Sequence, residues 1–148
     1  FFIAQVITSK TNNGQVMAAD IIPFIKQESE AIIIRTQPND SDKLSKNYSG
    51  NNPVFLEPDL CGQLCDRGIK HLLVDLPSVD PEHDDGKLTA HHLFWNYPTN
   101  PRMDATITEM IYVPDTIADG IYLLNIHPAS LETDASPSMP VLFAIHTK

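Results

Sequence analysis

The strongest constraint in this chain is an unbroken β-branched run, Ala31-Ile-Ile-Ile34, followed by a helix-to-strand unit at residues 58 to 76. Consecutive apolar residues leave neither face for water, so the run reads as a central strand, continued by Arg35-Thr36. In the second unit Pro58 suits the first helical turn, Asp59 suits the positive N-terminal dipole, and Gly68 suits the C-terminal cap. Leu60, Cys61, Leu64 and Cys65 form the apolar stripe of that helix. His71 to Leu76 then reads as a strand.

Further elements follow from the same signals. Phe1 to Thr8 is an apolar run bounded by the polar SKTNNG, which predicts a buried strand and a turn at Asn13-Gly14. Helical spacing recurs from Val16 to Lys26, but Pro23 limits the helix to a short piece. Residues 37 to 57 predict a long loop with room for a short helix, and Gly86 to Trp95 predict a second helix. The runs Thr106 to Val113, Gly120 to His127 and Pro140 to His146 read as strands. Helices lie between strands in the first part and strands dominate the last, which predicts an α/β class domain with a mixed β-sheet and flanking helices, not a bundle. One domain fits 148 residues.

Charge narrows the partners. The formal net charge is −9, and such a surface repels phosphate backbones and anionic lipid, so no nucleic acid and no membrane partner is expected. No apolar run is long enough to span a bilayer. Two cysteines one helical turn apart do not make a disulfide framework, which points to a reduced, cytoplasmic compartment and to core packing for both. The opening FFIAQVIT carries no initiator Met and reads as a strand already under way, so residue 1 is read as not the natural start.

Chemistry concentrates in residues 71 to 95, HLLVDLPSVDPEHDDGKLTAHHLFW. A strand delivers Asp75 at its C-terminal end, where α/β sheets gather ligand-handling residues. Asp75 and Asp80 fit either a site or simple turn caps. Glu82, Asp84 and Asp85 read as a solvated loop. Adjacent His91 and His92 on a helix diverge by ~100°, so one of them at most faces a given site. Alternation in ATITEMIYV places Ile107, Glu109 and Ile111 on one strand face. There Glu109 is either solvent-facing or a buried carboxylate that needs a partner or a metal. His127 and His146 read as structural or exposed. GxSxG, phosphate-binding Gly-rich loops and HExxH are absent from the sequence.

The run VDLPSVDP, followed by TAHH and then an ITEM strand, resembles the cyclase-like metal-dependent hydrolases of the kynurenine formamidase and isatin hydrolase type. IIIRT at 32 to 36, the helix at 58 to 68 and ASPSMPVLFAI at 135 to 145 are similar to that family in the same order. Residues 1 to 29 match loosely. The resemblance implies a swivelling β/β/α fold, a divalent metal (zinc or manganese), a small-molecule substrate, a homo-oligomer and a place in tryptophan catabolism. His91 falls on the family's metal-binding histidine and Glu109 on its carboxylate ligand. Asp75, Pro77 and Ser78 fall on the loop bordering the site, and no catalytic residue is assigned.

Two departures shape the functional expectation. NYPTNPRMD, between His91 and Glu109, looks like a loop insertion. The family signature His-x-Gly-Thr-His-x-Asp-x-Pro, source of most metal ligands and of an acid/base histidine, is missing from the 148 residues. The chain therefore resembles the C-terminal portion of a larger hydrolase domain that cleaves a small aryl formamide or cyclic amide with metal-activated water, and it is expected to be inactive alone. The alternatives are a non-catalytic scaffold lacking a complete metal site and a hydrolase of the same fold acting on a lactone. An exposed strand edge such as FFIAQVIT is expected to favour association.

Overall fold

Three successive strand–helix–strand steps organise the computed structural model, in which residues 1 to 145 are described. The first runs from β1 (Phe2–Lys10) through α1 (Ala18–Ile21), prolonged by a 3-10 turn at Ile22–Phe24, to β3 (Ala31–Gln37). The second runs through α2 (Pro58–Asp66) to β5 (His71–Val74), and the third through α3 (Thr89–Trp95) to β6 (Thr106–Thr108). β7 (Gly120–Asn125) and β8 (Val141–Ala144) complete a six-stranded sheet of order β6-β5-β3-β1-β7-β8. β1, β3, β5 and β6 are parallel, β7 runs against β1, and β8 runs against β7. Two short strands, β2 (Gln15–Val16) and β4 (Phe55–Leu56), pair beside it. The sheet is mixed and the class is α/β, as expected.

Crossovers of one hand that step steadily in one direction leave all their helices on one side of the sheet. Accordingly one core joins Ile7, Ile32, Ile34, Leu72 and Val74 of the strands to Ile21, Leu60, Leu64, Ala90 and Phe94 of the helices. Burying Leu60 and Leu64 completely stabilises the fold by on the order of 1.5–3 kcal/mol each. α2 ends as its sequence predicts, with Gly68 at φ +75°, a conformation an L side chain resists. Pro23 sits inside the 3-10 turn and stops α1 early. Cys61 is buried in this core and Cys65 half-buried, both free. Burial pushes the Cys61 thiol up to about 12, so it packs and does not react.

The opposite face carries Ala4, Val6, Ala31, Ile33, Leu73 and Leu124, with Val113 lying over them. Its cover is the connection from β6 to β7, which crosses the carboxyl ends of β5, β3 and β1. Ile111 N–H donates to Val74 O. Arg35 then fastens the crossing: its Nη1 donates to Pro114 O and Ile117 O, and Nη2 pairs with Asp119 at 3.0 Å. Nε and Nη2 also donate to Thr8 Oγ1. A buried guanidinium is tolerated because its donors are engaged.

Four expectations need correction. FFIAQVIT is not an edge: β1 lies inside the sheet, paired on both sides. The strand expected over Thr106 to Val113 stops at Thr108, because Met110 adopts φ +59° and breaks the pleat. Ile107 consequently packs on the helix side and Ile111 on the opposite side, so they do not share a face with Glu109 between them. The helix expected from Gly86 begins at Thr89, since Asp84 draws the Gly86 and Leu88 N–H groups into a turn. His127 is exposed, and the expectation for His146 lies outside the described residues.

His71, at the start of β5, is buried beneath Phe2, with ring centroids 3.9 Å apart. Its Nδ1 meets Thr106 Oγ1, while Nε2 is buried with no partner among the described residues. Burial first, and the Lys70 ammonium next, hold the imidazole below the ordinary histidine value. The native state therefore disfavours the proton. As pH falls through ~6.5, the unfolded chain takes up a proton that the folded one resists, and stability declines. Urea midpoints measured from pH 7.5 down to 5 should fall, and His71→Phe should flatten that slope.

Candidate metal centre

The loop after β5 is held at nearly every step. Met110 N–H donates to Leu76 O, Leu56 N–H donates to Val79 O, and Ser78 Oγ accepts the Asp80 N–H. That tethering delivers Asp80, 3% exposed, under the first turn of α3. Its Oδ1 accepts the Ala90 N–H at 2.7 Å and its Oδ2 the His91 N–H at 3.2 Å. Asp80 thus caps the helix from a remote loop, where Leu88 at the helix start offers no capping side chain.

The same Oδ2 lies 2.6 Å from His91 Nδ1. A carboxylate only accepts, so Nδ1 carries the proton and the Nε2 lone pair is turned outward. Nε2 faces Glu109 Oε1 at 3.6 Å, too long for a direct hydrogen bond. Two donors bound to one tetrahedral ion at ~2.0–2.2 Å stand roughly 3.4 Å apart, so this separation suits a shared cation. Glu109 sits just beyond β6, half-buried, and its Oε1 accepts the Val79 N–H at 3.0 Å. Trp95, one turn along α3, stands 5.2 Å from the His91 ring and is anchored through Nε1 to Ala105 O.

The donor set fits a zinc- or manganese-type ion: one imidazole oriented by a carboxylate behind it, and one carboxylate whose Oε1 is steadied by the Val79 N–H. It is incomplete. Among the described residues no group of three or more His, Cys, Asp or Glu side chains could hold an ion, and a catalytic site needs about three protein ligands. His92 points elsewhere, its ring against Tyr97 at 4.9 Å.

The residues expected to border the site divide. Ser78 and Pro77 lie in the turn that carries Asp80. Asp75 instead accepts from Thr36 N–H, Thr36 Oγ1 and Lys43 Nζ, the last at 2.7 Å. It lines a cavity of about 690 Å³ with Tyr48, whose phenol is held above its ordinary value by burial and then by the Asp75 charge. A second cavity of about 750 Å³ begins at Glu109 and runs over Ile33, Leu73 and Leu124, a largely apolar groove. Sequence reasoning missed Lys43, since nothing in SDKL announces a partner in Asp75, and it left Asp80 between two roles that the structure unites. Glu82 is less free than a solvated-loop reading implies. It accepts the Gly50 and Asn52 N–H groups, and the Gly50 bond first holds its carboxyl below the usual range.

No family model matches the chain. It is similar to the kynurenine formamidase of Bacillus cereus (strain ATCC 14579), 38% identical over 88 residues, which are 59% of this chain and 38% of that protein. The kynurenine formamidase of Bacillus anthracis gives the same figures. The chain spans under two fifths of the length of these relatives. Among solved structures, a predicted metal-dependent hydrolase from Bacillus stearothermophilus aligns over 95% of this chain and 62% of its own, at TM-score 0.69 and 20% identity. A potential metal-dependent hydrolase with cyclase activity aligns over 99% and 66%, at TM-score 0.71 and 20% identity. An isatin hydrolase bound to thioisatinate aligns over 94% and 59%, at TM-score 0.61 and 16% identity. Relatives and folds alike bear out the resemblance to cyclase-like metal-dependent hydrolases.

Removing Asp80 should act twice. Asp80→Ala should lower stability by about 2–3 kcal/mol in urea unfolding, through the helix cap and the buried charge-assisted bond. Ring ¹⁵N shifts should show His91 leaving the single Nδ1–H tautomer for a mixture. An unchanged tautomer would mean that Asp80 does not orient the ring.

Proposed function

We propose that the chain is the C-terminal part of a metal-dependent hydrolase of small aryl formamides or related cyclic amides, with His91 and Glu109 as two of its metal ligands. One observation carries the reading: Asp80 and Glu109 flank the His91 ring, with Asp80 Oδ2 2.6 Å from Nδ1 and Glu109 Oε1 3.6 Å from Nε2. The names of the curated relatives and of the solved neighbours support the reaction class. A divalent ion, zinc or manganese, supplies Lewis acidity when bound, polarising a carbonyl and acidifying water.

Each residue of this chain has a separable task. Asp80 retains the Nδ1 proton, so the imidazole offers its other nitrogen and does not rotate. The Val79 N–H holds one Glu109 oxygen in place, fixing the carboxylate beside the ring. Trp95 walls one side of His91. The apolar groove that Glu109 helps to line is of a size to seat a small aromatic ring beside that carboxylate. The remaining ligands, and the group that protonates the leaving amine, belong to a segment bearing the His-x-Gly-Thr-His-x-Asp-x-Pro signature. Without it the chain should be inactive. The scaffold reading draws on the lack of a three-ligand cluster among the described residues.

No helix among the described residues is long and apolar enough to cross a membrane. A cytoplasmic setting is in keeping with the free, packed cysteines.

The test is a calorimetric titration of the chain and its variants with Zn²⁺ and Mn²⁺, read in the unsubstituted chain also by the His91 ring nitrogens with diamagnetic Zn²⁺. Nε2 should shift on metal addition. His91→Ala and Glu109→Gln should each weaken binding by more than ~10-fold, and Asp80→Asn by roughly 10–100-fold. A chain that responds to neither ion would leave the scaffold reading standing. The aryl formamidase assay should gain activity only when a polypeptide carrying the missing signature is supplied.

A further inference from the structure

Among the described residues, seven besides glycine hold a positive φ. Asn13, Asn52, Asp85, Asn96 and His127 are of the types that tolerate this conformation best. The other two, Leu88 and Met110, are large and apolar. Leu88 opens α3, where its carbonyl accepts the His92 N–H and its own N–H is held by Asp84. Met110 directly follows Glu109, at φ +59°, with its N–H donating to Leu76 O and the next N–H to Val74 O. Those bonds fix the backbone, and glycine would accept the same path without strain. The Met110 side chain adds nothing to the interior: it belongs to neither apolar core and is 59% exposed. It lines the groove of about 750 Å³ together with Glu109, Ile33, Leu73 and Leu124. A backbone suited to glycine, carrying a thioether that the core does not use, sets the role of that thioether outside the fold.

We infer that Met110 is a specificity-determining residue, whose thioether packs on the aromatic ring of an aryl formamide seated in this groove. The inference rests on the function proposed above and adds to it the group that reads the ring. Position favours it: Met110 and Glu109 are consecutive and line the same groove, so a ring against Met110 lies beside the carboxylate that faces His91 Nε2. Chemistry favours it too. A polarisable sulfur gains from contact with an aromatic ring and gains less from a saturated one, so the contact sorts substrates by their π-system. The groove is concave and within the size range of small-molecule sites. Packed polypeptide in the same place would bury the Glu109 carboxylate at a desolvation cost, whereas a small amide brings polar groups to it.

The chain, labelled with ¹³C at its methionine methyls, is titrated with formanilide and with N-cyclohexylformamide as the saturated counterpart. The expected result is a saturable upfield shift of the Met110 methyl with formanilide and a weaker response to the saturated ring. The Met103 methyl, 92% exposed and outside the groove lining, should not move. Met110→Gly removes the side chain and the backbone strain together. Its urea midpoint should hold or rise, while formanilide affinity, followed on the ligand's own resonances, falls roughly 2- to 10-fold. An unmoved Met110 methyl would overturn the inference, as would equal affinity for the two rings or undiminished formanilide binding by Met110→Gly. Zinc binding at His91, read separately, keeps the two readings apart. An unmoved methyl in a chain that binds zinc removes this inference alone, and a shifted methyl in a chain that does not bind zinc removes the metal ligands alone.

Discussion

Everything at the candidate centre depends on where one buried carboxylate sits. Asp80 accepts from the Ala90 N–H, the His91 N–H and His91 Nδ1, so helix capping and ring orientation are a single act. A seven-residue helix is too short to be stable from propensity alone. It needs the cap and the packing of Ala90 and Phe94 to exist at all. The histidine is therefore presented only when the loop is in place, and the loop is in place only when β5 ends where it does. The loop before β6 contributes as well: Arg102 donates to Phe94 O and Ile69 O, tying the far end of α3 to the start of β5.

The sheet divides its labour by face. One side is closed by three helices whose apolar stripes fill the larger core. The other is crossed by the β6–β7 connection, held by Arg35 above the strand ends, and beside that strap lies the open groove beginning at Glu109. Closing one face with regular helices leaves the other for irregular chain. Irregular chain can place a carboxylate beside a histidine from another element, as Met110 does when its positive φ ends the pleat one residue after Glu109.

Much of this architecture is legible in the sequence. Periodicity finds the central strand at Ala31–Ile34, the α2 stripe and its Gly68 terminus, because each is a local pattern repeated over several residues. The unread features share one property, long sequence separation. Arg35 and Asp119 are 84 residues apart, and Lys43 and Asp75 are 32 apart. No spacing rule links such pairs, since their meeting is a property of topology. Glu109 shows the complementary failure: strict alternation assigns it to a face between Ile107 and Ile111, but one left-handed residue separates those isoleucines onto opposite sides of the sheet. Its pairing with His91 was reachable through family resemblance and not through periodicity.

The three buried charges, Arg35, Asp75 and Asp80, sharpen what the fold is selected to do. Buried ion pairs seldom stabilise a protein more than well-packed apolar residues would, because desolvation offsets the attraction. Broken pairs, by contrast, cost heavily. A chain that keeps such groups therefore gains positional definition more than stability. Arg35 and Asp75 join strand ends to segments remote in sequence, the strap and the loop that bears Lys43, while Asp80 joins the loop after β5 to α3 ten residues on. All three lie at the same edge of the parallel strands, the edge that carries His91 and Glu109. At the opposite ends of the strands His71 is buried with one nitrogen unpartnered among the described residues, and Arg102, only half-buried, ties the start of β5 to α3. Buried charge is thus concentrated at the strand ends where His91 Nε2 and Glu109 Oε1 stand 3.6 Å apart.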